Sequence, residues 1–290
     1  GRGDADLAIT DAPHTVEDVF DIGGQEHFYL EGQAALAEPG EDGDVKVISS
    51  TQHPSEIQHK VAAALGQPYH AVRVECRRMG GGFGGKESQG NALAVASAVV
   101  AAATGRIAKM RYDRDDDFLI TGKRHDIRIQ YRVGFDGEGR IQGLAFDHYL
   151  RCGWSHDLSL PVADRAMLHA DNAYFIPHMR VTSHRLRTNM QSATAFRGFG
   201  GPQGAAGVER VMDHIAHHLA LDPLVVRQRN LYGPAPRNVT HYGMPIEDNI
   251  APELVERLVE TSEYHARRAA IEAEWEAEPV IRRGIALTPV

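Results

Sequence analysis

The sequence is poor in the features that define several function classes. Among 290 residues there are two cysteines, Cys76 and Cys152. They make neither a disulfide framework nor a zinc cluster, and a reducing, cytoplasmic setting is the default expectation. Long apolar runs are missing as well. The longest, from Ala92 to Ala103, is too short to cross a bilayer, and no basic-then-apolar leader opens the chain, so no membrane role is expected. There is no basic excess: 31 Lys and Arg stand against 39 Asp and Glu, for a net charge of −8. That balance gives no electrostatic case for nucleic acid. Repeats and low-complexity tracts are absent. No methionine begins the sequence, and Ile285 to Leu287 reads as the opening of a strand with little after it, so a fragment of a longer protein is expected.

What is present supports a folded core. Hydrophobic residues make up 42% and charged residues 24%, which excludes a mostly disordered chain and a simple coiled coil. The length suits one large domain or two ordinary ones. Val45 to Ser50 alternates as a strand, and Pro54 can open a helix to about Leu65. Ala71 to Met79 reads as a strand running into a glycine cluster, followed by an alanine-rich helix from Ser88 to Thr104. The period then changes from 3.6 to 2: Ile127, Ile129, Tyr131, Val133 and Phe135 alternate, Asp136 to Gly139 turns, and Ile141 to Leu150 returns. Arg180 to Leu186 reads as a further strand. Val208, Met212, Ile215 and Leu219 recur at helical spacing. Helices are also expected from Asp222-Pro223 towards Arg229, and from Pro252 towards Trp275. Strands and helices mix without a regular βαβ count, so the expected class is α+β, mixed sheets with packed helices.

Two glycine loops carry the chemistry. Gly80-Gly81-Gly82-Phe83-Gly84-Gly85-Lys86-Glu87 lies between a strand and a helix, where backbone N–H groups gather around anions. It is close to the phosphate-loop pattern, but Glu87 stands where a Ser or Thr should bind magnesium, and a carboxylate repels a triphosphate. A tight turn, or a loop for another anionic or polar cofactor, are the other readings. Ala195-Phe196-Arg197-Gly198-Phe199-Gly200-Gly201-Pro202 sets two aromatic rings and an arginine among glycines. Such rings pack into a core or stack on a flat ligand, and Arg197 can offer its fork of donors to an acidic group. His214 and His218, four apart on one helix face, have zinc-ligand spacing without an evident third ligand. Asp113, Asp115, Asp116 and Asp117 lack the full calcium-loop pattern. A histidine face and a charged turn are the simpler readings.

Together these stretches resemble the molybdenum hydroxylases, and within them the molybdopterin-binding region of the xanthine dehydrogenase type. The resemblance rests on Gly23 to Glu31, Ser50-Thr51-Gln52, Arg78 to Glu87, Asp115 to Gly122, and Ala195 to Gly204. It implies a molybdenum held by the dithiolene of a molybdopterin cofactor, with no direct protein ligand. It implies that Gln52 hydrogen-bonds an oxo ligand of the metal, and that Phe83 and Gly84 lie beside the metal and pterin. Ala195, Phe196 and Arg197 would form the loop next to them. Glu87 would bind the purine and assist proton shifts on its ring, Arg165 would pair with a ring carbonyl and stabilise developing charge, and Phe199 would clamp the flat substrate. Aldehyde oxidases lack the carboxylate and arginine pair, so purine hydroxylation, hypoxanthine or xanthine towards urate, is the implied reaction. Carbon monoxide dehydrogenases place a cysteine beside the arginine to bridge copper; here Gly198 follows Arg197. Electrons would leave through 2Fe-2S clusters and FAD to NAD, in partner domains or subunits.

The family's general base, a glutamate in a Gly-Glu-Pro context, has no counterpart here; Glu278-Pro279 lacks the glycine and lies too early. The implied organisation is a lead-in at 1–20, a first molybdopterin-binding domain at 21–245, and a helical connection with the start of a following domain at 246–290. Half of a molybdenum site is implied, with no turnover by the chain alone. The remaining half and the redox modules are the expected partners, and homo-oligomerisation is left open. The alternatives are a cofactor-binding scaffold that docks redox domains without turnover, and a degenerate phosphate-loop nucleotide binder.

Overall fold

A computed structural model describes residues 1–277 and 280–289; the Glu278–Pro279 pair lies outside the described residues. The elements run α1 (Ala5–Thr10), β1 (His14–Ile22), β2 (Ala34–Pro39), β3 (Val45–Ser49), α2 (Pro54–Leu65), β4 (Val72–Glu75), α3 (Asn91–Thr104), β5 (Ala108–Arg111), α4 (Arg114–Ile120), β6 (Ile127–Phe135), β7 (Ile141–Gly153), α5 (Ser159–Leu168), β8 (His178–Arg187), α6 (Gly201–Leu219), α7 (Pro223–Asn230), α8 (Ala251–Thr261) and α9 (Tyr264–Trp275). They build two four-stranded sheets, ordered β1-β6-β7-β8 and β4-β3-β2-β5. Each sheet is antiparallel except for one parallel pair, β7 with β8 and β3 with β4. The expected mixed sheets with packed helices are therefore what forms.

Each sheet has its own core. In the larger, the inward set Ile127, Ile129, Tyr131, Val133 and Phe135 of β6 meets Val208, Met212 and Ile215 of α6. Fully burying such side chains contributes about 1.5–3 kcal/mol each. α6 approaches closely because its first half is small: a Cβ on Gly204 would lie 2.2 Å from the Ala166 carbonyl oxygen of α5. The smaller core packs Ala35, Ala37, Val45 and Val47 against Ile57 and Val61 of α2 and Leu93, Ala94 and Ala98 of α3. Alanine on facing positions lets the alanine-rich helix lie flat on its sheet.

Several boundaries differ from expectation. The break expected between residues 20 and 21 falls inside β1, which pairs with β6 from His14–Phe135 to Ile22–Ile127, so the lead-in is part of the larger sheet. Val255 and Tyr264 are buried in the larger core, with Ile285 and Leu287 packed against it, so residues of the 246–290 segment dock on that core. Ile285 to Leu287 forms no ladder; its side chains pack without a strand partner. The helix expected from Pro252 to Trp275 is two helices, because Glu263 takes a left-handed φ of 52° between them. The strand expected to Met79 ends at Glu75, since only Val45–Ile48 of β3 is there to pair with it.

The two glycine loops enter helices of different layers. The first leads from β4 towards α3 on the smaller sheet, and the second leads into α6 on the larger. Where they meet is the junction of the two halves.

Candidate functional site

Both loops contain Gly-Phe-Gly-Gly, and both fold the same way. Phe83 and Gly84 have φ of 54° and 96°; Phe199 and Gly200 have 50° and 97°. Each pair is closed by one hydrogen bond, from the Gly85 amide to the Gly82 carbonyl at 2.8 Å and from the Gly201 amide to the Gly198 carbonyl at 2.9 Å. Positive φ at both central residues defines the I′ turn, and phenylalanine is an unusual occupant of its first position. Holding a bulky residue there costs about 1 kcal/mol or more. The surroundings impose it: the turns interlock so tightly that a Cβ on Gly84 would sit 2.8 Å from the Ala195 backbone.

A chain of hydrogen bonds runs across the junction. The Gln52 Oε1 accepts from the Gly84 amide at 2.9 Å and from the Lys86 amide at 3.1 Å. A Cβ on Gly82 would lie 2.5 Å from that same oxygen, so glycine is required for the Gln52 side chain to lie there. On the peptide preceding Gly84, the Phe83 carbonyl accepts from the Arg197 amide at 2.9 Å. On the peptide preceding Arg197, the Phe196 carbonyl accepts from the Phe199 amide at 2.7 Å. Gln52, Phe83, Gly84, Ala195, Phe196, Arg197 and Phe199 are thereby one connected cluster. The Phe83, Ala195, Phe196 and Arg197 carbonyls each accept a hydrogen bond, whereas those of Gln52, Gly84 and Phe199 have no donor among the described residues. The amides of Gly82, Phe83, Phe196 and Gly198 find no acceptor among the described residues. Gln52 is exposed and its Nε2 has no acceptor among the described residues either. The surface is rich in unspent donors and suits a ligand rich in oxygen acceptors.

Two further residues flank the cluster. Glu87 is half-buried and precedes α3 by four residues, because the helix starts at Asn91 and not at Ser88. The helix expected from Ser88 therefore begins later: residue 88 is a bend and 89–90 a turn, and the Gln89 side chain is drawn to Asp157 and the Gly122 amide. Burial pushes the Glu87 carboxyl above its ordinary pKa; His53 opposes the shift, while Asp157 and Glu56 add to it. Arg165 is exposed on α5. That helix backs the second loop, since a Cβ on Gly200 would lie 2.1 Å from the Val162 carbonyl oxygen. No ion pair joins Glu87 to Arg165 among the described residues. Phe83 is 47% exposed and Phe199 half-buried, so ring surface at both turns remains open.

Lys86 settles the phosphate-loop question. A lysine that grips phosphates must reach out of its loop. Here it is fully buried, and its Nζ donates to the Glu31 carbonyl at 2.7 Å, the Ser50 hydroxyl at 2.8 Å and the Glu31 carboxylate at 3.2 Å. The nucleotide-binding alternative therefore fails on geometry. The other candidates are structural. The His214 Nδ1 meets the Tyr131 hydroxyl at 2.7 Å, Asp113 caps α4 by accepting from the Asp116 amide, and Asp117 is buried against Tyr29 at 2.7 Å. No group of three His, Cys, Asp or Glu side chains able to hold a metal occurs among the described residues.

Residues 1–231 match the sequence model of the molybdopterin cofactor-binding domain. The chain belongs to the molybdopterin cofactor-binding family. It is 39% identical over 287 residues to the xanthine dehydrogenase of Calliphora vicina, and 41% identical over 289 residues to the xanthine dehydrogenase/oxidase of Gallus gallus. Each alignment covers 99% of this chain and 21% of the relative, so the chain spans about a fifth of their length. The aldehyde oxidoreductase from Desulfovibrio gigas superposes with a TM-score of 0.84 at 28% identity, over 94% of this chain and 29% of that one.

Sequence reasoning missed two residues of this molybdopterin-binding domain's junction, His27 and Arg124. His27 lies within one of the stretches that carry the resemblance, but nothing in its spacing signals a contact with residues 195 and 196.

Proposed function

We propose that this chain forms one half of the molybdenum site of a purine hydroxylase of the xanthine dehydrogenase type. The observation that carries the proposal is the interlocked pair of Gly-Phe-Gly-Gly turns, with the amides of Gly82, Phe83, Phe196 and Gly198 unpaired among the described residues. The fit to the cofactor is chemical: oxygen ligands on a metal held by a pterin need donors, and the loops offer backbone N–H groups and the Gln52 amide. When bound, the molybdenum cofactor supplies the oxygen that adds to the substrate and takes up the electron pair released.

The chain's own residues bind and orient. Gln52, with its Oε1 engaged by two amides, presents its Nε2 hydrogens to an oxo ligand. Phe83, Gly84, Ala195, Phe196 and Arg197 line the metal and pterin side. Phe199 packs on the flat face of a heterocycle. Glu87 holds or accepts a proton at a ring nitrogen, a role that its raised pKa supports by bringing it nearer the working range. Arg165 has no side-chain partner of its own among the described residues and stabilises negative charge building on a ring carbonyl. The general base is supplied by another segment of the parent protein, as are the 2Fe-2S clusters and FAD that carry electrons to NAD. The isolated chain turns nothing over. A reducing, cytoplasmic setting fits the two free cysteines.

The test is a comparison of substrates on the cofactor-loaded parent protein. Xanthine or hypoxanthine should be hydroxylated with kcat/KM well above that for a simple aldehyde such as benzaldehyde. Oxidation of the aldehyde with no purine turnover would place the protein elsewhere among the molybdenum hydroxylases. No turnover of either by a molybdenum-replete protein would favour a scaffold that only docks redox domains.

A further inference from the structure

Phe196 is held by side chains from two distant segments. The His27 ring stacks on it with centroids 4.6 Å apart at 29°, and the Arg124 guanidinium carbon lies 3.8 Å from its centroid. The same two side chains take the carbonyls on either side of Phe196. The His27 Nε2 donates to the Ala195 oxygen at 2.6 Å, and the Arg124 Nη2 donates to the Arg197 oxygen at 2.9 Å. Arg124 is itself anchored by its Nε to the Gln25 Oε1 at 2.8 Å.

A trans peptide carries its C=O and N–H in opposite directions. Holding the Ala195 oxygen therefore aims the Phe196 amide the other way, and holding the Arg197 oxygen does the same for the Gly198 amide. These are two of the unspent donors of the site. With either carbonyl released, its peptide could rotate and present an acceptor where an oxygen-rich ligand needs a donor. Both clamping side chains are nine-tenths buried, and each keeps one buried nitrogen without a partner, the His27 Nδ1 and the Arg124 Nη1. Burying an arginine with no carboxylate beside it is unfavourable. Burial depresses the pKa of both groups, which favours the neutral imidazole, with its proton on Nε2.

We propose that His27 and Arg124 are positioning residues that aim the Phe196 and Gly198 amides, and the Arg197 side chain between them, at the ligand bound by the two glycine turns. The consequence for catalysis rests on the molybdenum-site reading above; the clamp itself does not. Three variants separate the possibilities: His27→Phe keeps a stacking ring without the donor, Arg124→Met removes the fork, and His27→Gln keeps a donor of similar reach. On the full chain, amide hydrogen exchange at Arg197 and Phe199 should quicken about tenfold in the first two variants, with β7 amides unchanged. In the cofactor-loaded parent protein kcat should fall about tenfold while KM moves less than about twofold. His27→Gln should restore both to within about threefold of wild type. If His27→Phe fails to fold, Arg124→Lys carries the test in milder form, quickening exchange at Arg197 ahead of β7. Unchanged exchange at Arg197 and Phe199, or equal acceleration in β7, overturns the clamp, as does a His27→Gln protein that behaves like His27→Phe. Selective acceleration in a protein whose parent binds no molybdenum upholds the clamp and overturns the cofactor reading instead.

Discussion

Glu31, which bonds to the first glycine loop at Gly80 and Lys86, and Glu87, the last residue of that loop, live by opposite rules. Glu31 is engaged through one oxygen: its Oε2 accepts from the Ser50 hydroxyl at 2.6 Å, the Gly80 amide at 2.8 Å and the Lys86 ammonium at 3.2 Å. Burial pushes its pKa up, but the bonds from Ser50, Gly80 and Lys86 outweigh that, and the carboxyl sits below its ordinary value. Glu87, half-buried, has no such donors, and its pKa is raised. The floor of the loop is thus built for stability, and its rim keeps groups unsatisfied. An unsatisfied carboxyl is a liability to the fold and an asset to a site that must bind ring heteroatoms.

The largest effect should come from breaking the floor. Glu31→Gln leaves the fully buried Lys86 ammonium with two neutral acceptors. Removing one partner of a buried pair costs about 3–5 kcal/mol; because the Glu31 side chain is 41% exposed, we expect about 2–3 kcal/mol. Urea unfolding of Glu31→Gln, Lys86→Met and the double variant measures it. The double variant should be more stable than Glu31→Gln, since no stranded charge remains. Additive losses would mean that the pair is uncoupled and that the floor resembles the rim.

At the rim, the expectation moves from stability to specificity. Glu87→Gln and Arg165→Met, in the cofactor-loaded parent, should each lower purine kcat/KM by about tenfold or more, equivalent to about 1.4 kcal/mol of transition-state stabilisation. A simple aldehyde offers neither residue a ring heteroatom, so its turnover should be kept and the ratio of specificities should change. Parallel losses on both substrates, measured at equal molybdenum content, would assign these residues to the scaffold.

How much of this was legible beforehand follows the range of the interactions. The alternation of Ile127 to Phe135 announces β6, which spans those residues, and the stripe from Val208 to Leu219 announces α6. Both signals are local. β1 is visible in the sequence only as an optional strand of a lead-in over residues 5 to 20, because its mixed Glu, Asp and Val pattern gains full meaning from pairing with a strand more than a hundred residues later. β2, Ala34–Pro39, has no strand-favouring composition, and its neighbours β3 and β5 make it a strand. The glycine clusters pointed to the site, and the resemblance supplied the candidate roles. The direction of Lys86 could not be read, since it depends on Glu31 and Ser50 meeting it from elsewhere in the chain. His27 and Arg124 act on residues 168 and 73 positions away, beyond any local pattern.

The smallest effect makes the sharpest test of the contrast between the two carboxylates, because its sign is what matters. A raised pKa means that the folded chain holds the Glu87 proton more tightly than the unfolded chain does. Between the ordinary glutamate value and the raised one, the folded state binds more protons, so stability falls as pH rises through that window. Above it, ionised Glu87 is a standing cost that glutamine does not carry. Glu87→Gln should therefore gain on wild type as pH rises from about 4 to about 7, by on the order of 0.5 kcal/mol or less once solvent screening of a partly exposed group is allowed for. Glu31 has the opposite linkage. Its lowered pKa stabilises the fold above the unfolded value, and that contribution is lost as pH falls through the folded one. Glu31→Gln should accordingly be most damaging near neutrality and less so in acid. Melting curves of both variants against wild type across this range should give difference plots of opposite slope. Slopes of the same sign would mean that Glu87 has found donors of its own and that the rim is not the unsatisfied edge the geometry describes.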